Sequence, residues 1–300
     1  FDSEEKKRKT TIDSSVLHCN RQGKEITVID TPGYPDFISG SISSLNAVET
    51  AIIVIAATSG IQVNTQKMWD IAGDAGLARV IVITKMDGDN VDFPALLDSI
   101  QNAFGEECLP LMLPVGHGSG FNGVVDIFNL PEEVPADVIG DVDECREKFL
   151  EGIVCVCDET MEKYLDGQEI EIEKLHGCFT TAVASGSVVP ILCCDNKKGI
   201  GIEEIVDVIS KYTPSPEKGL ARKSVGMEGD EVATEEKDVE VSKNAPFSAQ
   251  VFKSITDPFV GKLSFFRVYS GELKHHQEVY NVRAKKNEKI GHMFKTFGKE

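Results

Sequence analysis

Two kinds of segment alternate along the first 216 residues of the chain: short apolar runs, and longer stretches in which apolar residues recur every three or four positions. The runs 51–58 (AIIVIAAT) and 79–84 (RVIVIT) are almost wholly apolar, which is the pattern of strands covered on both faces. The stretches that follow them repeat apolar residues at helical spacing. Strands that alternate with helices of about 10 to 15 residues imply right-handed crossovers, so an α/β domain with a mostly parallel sheet is predicted.

The other predicted elements of this domain fit the same arrangement. They are a hairpin at 14–20 and 24–30, helices at 37–50, 62–77 and 92–104, a strand at 188–194, and a helix from 201 that stops before Pro214. Ligands of such sheets bind beyond the carboxyl ends of the strands. Polar residues at those ends are therefore the first candidates for function.

The pattern changes between residues 105 and 187. Here a strand-like run at 123–128 is followed by an acidic helical stretch from about 143 to 165. We interpret the segment 105–187 as an α+β subdomain that is inserted into the core. The core itself is then formed by residues 1–104 and 188–216.

The last third of the chain has a different composition. Residues 217–244 are charged, poor in aromatics and without sustained periodicity, which predicts an exposed linker with one edge strand. Residues 245–300 alternate apolar with polar positions in runs separated by glycines, and these runs are rich in Val, Phe and Tyr. An all-β unit, a small barrel, is predicted. We expect it to be truncated, because the chain stops without a visible closing strand.

Charge is distributed unevenly along the chain. The formal net charge of −18 argues against indiscriminate binding to nucleic acid. Residues 246–300 nevertheless carry 10 Lys+Arg against 5 Asp+Glu, net +5, which leaves 21 against 44, net −23, for residues 1–245. The basic end permits a local contact with a polyanion, and a solvated strand surface explains the same charges equally well.

Hydropathy and cysteine spacing bear on two further properties, membrane insertion and the state of the thiols. No uninterrupted run of about 18 apolar residues occurs, so no membrane-spanning helix is predicted. The eight cysteines include no CxxC spacing, which indicates free thiols in a reducing compartment. We interpret the close pairs Cys155/Cys157 and Cys193/Cys194 as buried small apolar residues rather than ligands of a soft metal.

An acidic turn with a glycine, DTPGYPDF at 30–37, follows the strand predicted at 24–30. Asp30 is placed to hold Mg²⁺ through water, since this cation prefers oxygen ligands and keeps much of its hydration shell. Gly33 lets the backbone come close enough to a phosphate to donate its N–H. A D-x-x-G alone is a weak signal, because most such matches are ordinary turns.

A second polar motif, TKMD at 84–87, ends a strand two βα units later. The Asp87 carboxylate can accept hydrogen bonds from the ring N–H and the amine of guanine, and the stem of Lys85 can lie over the base. Capping of the next helix by Asp87 is the structural alternative. Thr11 offers a hydroxyl to Mg²⁺, and without further context an ordinary strand threonine is the favoured interpretation.

These motifs lie within a longer series of stretches that resembles translation elongation factor G. The stretches, in the order of that family, are TTIDSSVL, VIDTPGYPDFISGSISSLNAVETAIIVIAATSGIQVNTQKMWDIA, VITKMD, FNGVVDIF, YTPSP and ITDPFVGKLSFFRVYSGEL. The last stretch is specific, because it separates relatives of elongation factor G from small GTPases that share only the nucleotide motifs. The resemblance implies a P-loop-type GTPase domain with an inserted subdomain, followed by a translation-factor β-barrel.

The resemblance also implies GTP or GDP and Mg²⁺ as cofactors and assigns roles position by position. The matching positions are Thr11 and Asp30 for Mg²⁺, Gly33 for the γ-phosphate, Tyr34 and Gly33 for catalysis, and Thr84, Lys85 and Asp87 for guanine.

The chain departs from the family pattern in three places. No Gly-Lys-Ser or Gly-Lys-Thr of a phosphate-binding loop occurs, so we expect the chain to start after that loop and to be inactive alone. Tyr34 stands where the family has His, as in a divergent elongation-factor-G-like branch, and a phenol with a pKa of about 10 is a poor base near neutral pH. Thr84 replaces the commoner Asn, and LCCDNKKG at 192–199 replaces a Ser-Ala pair, which we expect to loosen guanine packing slightly.

The function implied by the resemblance is that of a translational GTPase, which couples GTP hydrolysis to ribosome translocation or a related ribosomal step. A ribosome-binding paralogue with weak or absent catalysis, acting by occupancy, and a ribosome-protection or release-type factor are the alternatives. The implied partner is the ribosome, through rRNA and ribosomal proteins. The acidic helical stretch is a candidate for stalk contacts, and a solvated helix face explains its charges equally well. We expect a monomer that binds neither DNA nor membrane, in the cytoplasm or, with a transit peptide lost, in a plastid or mitochondrion.

Overall fold

The computed structural model describes residues 3–228, 231–257 and 261–298. The chain divides into two compact units. The larger unit comprises residues 20–26 and 48–219, and the smaller comprises residues 1–19, 27–47 and 220–300. Within the described ranges, no helix is long and apolar enough to cross a membrane.

Helices and strands alternate through most of the chain. The helices are α1 (Ser3–Arg8), α2 (Ile38–Leu45), α3 (Val63–Asp74), α4 (Phe93–Phe104), α5 (Val142–Val154), α6 (Asp158–Leu165), α7 (Ile172–Ser185) and α8 (Ile202–Tyr212), with 3-10 turns at Pro35–Phe37 and Gly118–Gly120. The strands are β1 (Ser15–Arg21), β2 (Lys24–Asp30), β3 (Thr50–Ala56), β4 (Ala78–Thr84), β5 (Cys108–Pro110), β6 (Met112–Val115), β7 (Gly123–Asp126), β8 (Val189–Cys193), β9 (Lys223–Glu228), β10 (Glu231–Asp238), β11 (Ser248–Asp257), β12 (Gly261–Ser270), β13 (Glu278–Asn281) and β14 (Lys286–Lys289).

The larger unit is built on a parallel sheet with the strand order β3-β4-β8-β5. Ile53 of β3 lies beside Ile81 of β4, and Val82 of β4 lies beside Leu192 of β8. β5 pairs in parallel with β8 and so brings part of the segment 105–187 into this sheet. The predicted α/β architecture with a mostly parallel sheet is confirmed. Because the strands are parallel, their carboxyl ends lie at one edge of the sheet.

Burial along the sheet agrees with the prediction for β4 and differs for β3. Most of β4 is buried, whereas Ile52 and Val54 of β3 are 36% and 58% exposed. The expectation that residues 51–58 are covered on both faces is therefore wrong. β3 is the outer strand of the sheet, and Ile52 and Val54 point away from the face on which Ile53 and Ile55 are buried.

Two aromatic clusters fill the interior of the larger unit. Trp69 of α3 stacks on Phe104 of α4 with ring centroids 4.4 Å apart, and the guanidinium of Arg79 lies 3.9 Å from the centroid of the Trp69 ring. Such rings contribute much of the apolar area that a core buries. The second cluster, which joins the segment after β7 to α5, α7 and α8, consists of Phe128, Phe149, His176, Phe179 and Tyr212.

The segment 105–187 contains more elements than its sequence pattern predicts. The acidic stretch expected at about 143–165 forms two helices, α5 and α6, with a break at residues 155–157. β6 pairs antiparallel with β7, and α7 packs on α5. β5 and β6 are only three and four residues long and wholly buried, so they show no alternation from which a strand is recognised.

All eight cysteines are free thiols, in agreement with the prediction. Cys193 and Cys194 are buried, which confirms apolar packing for this pair. Cys155 is exposed and Cys157 is half-buried, so the expected burial is wrong for the other pair. The reason is that both residues fall in the break between α5 and α6.

The β-strands after residue 220 form antiparallel pairs. β11 pairs with β12, with Ile255 opposite Leu263, and β13 pairs with β14. Within the described residues these remain two separate two-stranded sheets. The predicted all-β character of this region is confirmed. The predicted hairpin β1–β2, near the start of the chain, is confirmed as well.

The segment 217–244, predicted as a linker with one edge strand, contains the hairpin β9–β10. Nζ of Lys223 on β9 lies 3.1 Å from a carboxylate oxygen of Glu236 on β10. Cross-strand pairs of opposite charge stabilise antiparallel pairing. A second strand therefore forms where the charged composition predicted an irregular chain.

Candidate functional site

The residues predicted to bind nucleotide and metal fall into two groups. Thr11, Asp30, Gly33 and Tyr34 belong to the smaller compact unit. The TKMD motif at 84–87 belongs to the larger one. Each group has its own local geometry.

The two predicted metal residues of the smaller unit are in contact. Asp30 is the last residue of β2, and the Thr11 side chain lies near enough to its carboxylate to lower the pKa of Asp30. Burial raises the pKa of Asp30, the negative charge of Glu5 raises it further, and hydrogen bonds from the Thr11 side chain and the Thr31 backbone oppose the rise. The fold therefore holds a carboxylate and a hydroxyl together in a partly dry, negatively charged setting.

Glu5 is a component of this site that its sequence does not reveal. It lies in the charged helix α1, where a solvated side chain is the expectation, and yet it is buried. Its Oε1 accepts the backbone N–H groups of Ile12 at 2.8 Å and Asp13 at 3.2 Å. Glu5 thus positions the backbone directly after Thr11.

These residues fit the requirements of Mg²⁺. Carboxylate and hydroxyl oxygens are the hard ligands that this cation prefers. A cation would also lower the electrostatic cost of burying Asp30 beside Glu5, the same cost that raises the pKa of Asp30. No group of three or more His, Cys, Asp or Glu side chains able to enclose a metal occurs in the described chain.

The turn after Asp30 is open. A Cβ added at Gly33 would meet no atom within 4 Å, so the fold itself does not require glycine there. Tyr34 is 57% exposed and precedes the 3-10 turn, whose Phe37 N–H donates to the Tyr34 carbonyl at 3.1 Å. The buried hydroxyl of Ser41 in α2 donates to the Pro32 carbonyl at 3.0 Å and anchors the turn.

The turn after β4 has a strained backbone. Lys85 adopts a left-handed conformation with φ of 59°, which is unfavourable for a residue with a Cβ. Met86 is buried, and the N–H of Gly88 donates to the Lys85 carbonyl at 3.1 Å. A Cβ at Gly88 would overlap the methyl group of Thr58. The chain is thus fixed on both sides of Asp87.

Asp87 does not cap the helix that follows it. The N-cap of α4 is Asp92, whose Oδ1 accepts the N–H of Ala95 at 3.0 Å. The structural alternative considered for Asp87 is therefore excluded. The hydroxyl of Thr84 lies 3.5 Å from the Ile55 carbonyl and so contacts the neighbouring strand β3.

The loop after β8 lies against this turn. The Cys194 carbonyl accepts the Met86 N–H at 3.4 Å. Asp195 is fully buried, and its Oδ1 accepts the Lys197 N–H at 2.8 Å. Nζ of Lys197 lies 3.4 Å from Oδ2 of Asp87. The motif LCCDNKKG at 192–199 forms this loop, but no local sequence pattern predicts that Lys197 contacts Asp87.

Comparison with known proteins identifies the family to which the chain belongs. The profile described as "Elongation factor Tu GTP binding domain" matches residues 1–215, and that described as "Elongation factor G domain 2" matches residues 246–300. Elongation factor G of Fervidobacterium nodosum is 33% identical over 97% of this chain and 43% of the relative's length.

A solved structure supports the same relationship. A crystal structure of a protein from Thermus thermophilus matches with a TM-score of 0.80 and 28% identity, over all of this chain and 43% of that one. The chain thus spans less than half the length of the relatives it matches. It belongs to the elongation factor G family, with a GTP-binding domain of the elongation factor Tu type followed by domain 2 of elongation factor G.

Proposed function

We propose that the protein containing this chain is a translational GTPase that binds guanine nucleotide with Mg²⁺ and hydrolyses GTP on the ribosome. The observation that carries the proposal is the strained turn at Lys85, which fixes Asp87 at the carboxyl end of a parallel strand. Ligands bind at that edge in sheets of this class. The contact between Thr11 and Asp30 supplies a second, independent group of suitable chemistry.

In this proposal the two groups have different tasks. The Asp87 carboxylate accepts hydrogen bonds from the ring N–H and the amine of guanine, while the Lys85 stem covers the base and Thr84 supports the strand end. Thr11 and Asp30 hold Mg²⁺, which neutralises charge on the phosphates when it is bound. Gly33 leaves room for a phosphate oxygen to reach its backbone N–H.

The decisive experiment replaces the guanine reader in the natural full-length protein. Asp87→Asn keeps one acceptor but places an amide donor opposite a donor of guanine. A lost hydrogen bond to a charged group corresponds to about 1.5–3 kcal/mol, so GDP binding should weaken roughly 10- to 100-fold. Xanthosine diphosphate carries a carbonyl in place of the amine and should bind the variant better than GDP does.

Asp89→Asn is the matched control. Asp89 is exposed and lies two residues beyond Asp87, so the same change of charge there should leave GDP affinity unchanged. Affinities are measured by titration with a fluorescent GDP analogue. The proposal would be rejected if the two substitutions changed GDP affinity equally, or if the wild-type protein did not bind guanine nucleotides.

The ribosomal step depends on Tyr34. Phosphoryl transfer relies mainly on positioning and charge stabilisation, so a phenol beside the attacking water is compatible with hydrolysis. We expect ribosomes to stimulate phosphate release by the full-length protein, and Tyr34→Phe to slow that release. Binding of the GTP form to ribosomes without any phosphate release would instead favour a factor that acts by occupancy. Comparison with Tyr34→His shows whether the phenol limits the rate.

A further inference from the structure

We propose that Lys197 is an internal competitor of guanine, which occupies one oxygen of Asp87 in the nucleotide-free protein and leaves it when the base binds. This inference rests on the proposed function, because it assigns a regulatory contact to the same guanine reader. All the groups involved belong to the larger compact unit.

The contact itself is asymmetric. Nζ of Lys197 lies 3.4 Å from Oδ2 of Asp87. The Lys197 side chain is 75% exposed, whereas that of Asp87 is only 19% exposed. The lysine side chain therefore has room to swing into solvent, while the carboxylate is confined by the turn around it.

The backbone of Lys197 is held in place by Asp195. Oδ1 of this fully buried carboxylate accepts the Lys197 N–H at 2.8 Å, and the Asp195 N–H donates to the Ile200 carbonyl at 3.0 Å. Oδ2 of Asp195 has no hydrogen-bond partner in the described part of the chain. The loop thus fixes the point from which the Lys197 side chain extends, and only that side chain has to move.

The neighbouring Lys198 contacts a different loop. Nζ of Lys198 donates to the carbonyls of Ser119 at 3.1 Å and Phe121 at 3.3 Å. It is thereby directed to the Gly118–Gly120 turn rather than to Asp87. Lys197 and Lys198 carry the same charge, but in the described structure Lys197 contacts Asp87 and Lys198 does not.

The competition follows from the chemistry of the base. Guanine needs both carboxylate oxygens of Asp87, one for its ring N–H and one for its amine. An ammonium at Oδ2 takes up one of the acceptor positions of that oxygen. In this proposal the guanine amine takes the position that the Lys197 ammonium holds, so each binding event includes the loss of a partly exposed ion pair. Exposed pairs are weak and screened by salt, so the expected effect on affinity is roughly two- to fivefold.

The test uses the natural full-length protein and a fluorescent GDP analogue. Lys197→Met removes the ammonium and keeps an apolar stem, and at low salt it should bind GDP roughly two- to fivefold more tightly than the wild type. Lys198→Met should match the wild type. Raising NaCl should bring the wild type and Lys197→Met together, because salt screens the pair. Matching melting temperatures verify that the variants are folded.

The outcomes separate this inference from the proposed function. If Asp87→Asn weakens GDP binding roughly 10- to 100-fold while Lys197→Met binds no more tightly than wild type at low salt, the competitor role is rejected and the GTPase proposal stands. If the wild type fails to bind GDP, both are rejected. A gain shared equally by Lys197→Met and Lys198→Met would show a general charge effect and would also overturn the specific role of Lys197.

Discussion

The backbone of Lys85 is held in a left-handed conformation directly before Asp87. The left-handed Lys85 bears a backbone penalty of about 1–2 kcal/mol, and such penalties persist only where the surroundings impose them. Here the buried Met86 and the close approach at Gly88 impose it. The result is a turn whose shape is set before any ligand arrives, and this pre-organisation is what selective recognition of a base requires.

Tyr212 is a buried titratable group with a definite consequence for pH. Its hydroxyl and Nδ1 of His176 share a hydrogen bond of 2.8 Å, and burial raises the pKa of Tyr212 to about 12. A phenol with a raised folded-state pKa retains its proton when the unfolded chain has already lost it. The contribution to stability is therefore lost as pH rises from about 10 to about 12.

We predict that Tyr212→Phe removes this alkaline loss of stability. Near pH 7 the variant should be less stable by about 1 kcal/mol, because a hydrogen bond is lost. The difference should shrink above pH 10, since the phenylalanine does not ionise. Thermal unfolding followed between pH 7 and pH 11 measures both effects, with the exposed Tyr34→Phe as control. A constant difference across this range would contradict the assignment.

Within the larger unit, the loop after β8 lies against the turn that holds Asp87, and this loop depends on a glycine. Gly201 precedes α8 with φ of 81°, and a Cβ there would overlap the Cys193 carbonyl and lie 3.2 Å from Cα of Cys194. The chain must pass this close to β8 so that residues 195–200 can turn back toward the strand end. Only glycine permits both the conformation and the approach.

We predict that Gly201→Ala destabilises the protein by about 1–3 kcal/mol, because a left-handed alanine and a backbone overlap arise together. Gly177→Ala is the matched control. Gly177 lies within α7 with no atom within 4 Å of the added Cβ, so alanine should stabilise the helix by about 0.5–1 kcal/mol. Chemical unfolding monitored by circular dichroism compares them. Equal effects of the two substitutions would refute this explanation.

The outer strand of the sheet, β3, is a candidate site of self-association. β3 pairs only with β4 in the described structure, and its open face exposes Ile52 and Val54. Apolar strands with an unpaired edge are templates for association with another chain. The strand β3 itself, Thr50–Ala56, contains no charged residue that would oppose such association.

We predict that Val54→Lys reduces self-association of the 300-residue chain, because a charge on the open face makes close packing of a second copy unfavourable. Val63→Lys adds the same charge at the start of α3, where valine is 88% exposed, and should have little effect. Sedimentation velocity at matched concentrations distinguishes the two. A monodisperse wild-type chain, or equal improvement by both variants, would contradict the prediction.

The local sequence pattern predicted most of the helices and strands and the positions of the DTPG and TKMD motifs at strand ends. The apolar run 79–84 followed by TKMD predicted both β4 and the placement of Asp87 at its end. The same logic placed Asp30 at the end of β2. These predictions succeed because strand periodicity and turn residues act within about ten positions. Patterns of three or four residues, as in β5 and β6, are too short for that logic.

Contacts across long sequence separations were decided by tertiary structure alone. Asp87 and Lys197 are 110 positions apart, and Glu5 lies in a charged run that local rules assign to solvent. Whether Val54 is covered depends on which elements reach its face, and periodicity does not carry that information. The physical reason is that a local pattern fixes which side of an element is apolar, whereas the packing of distant loops and strands fixes what that side meets.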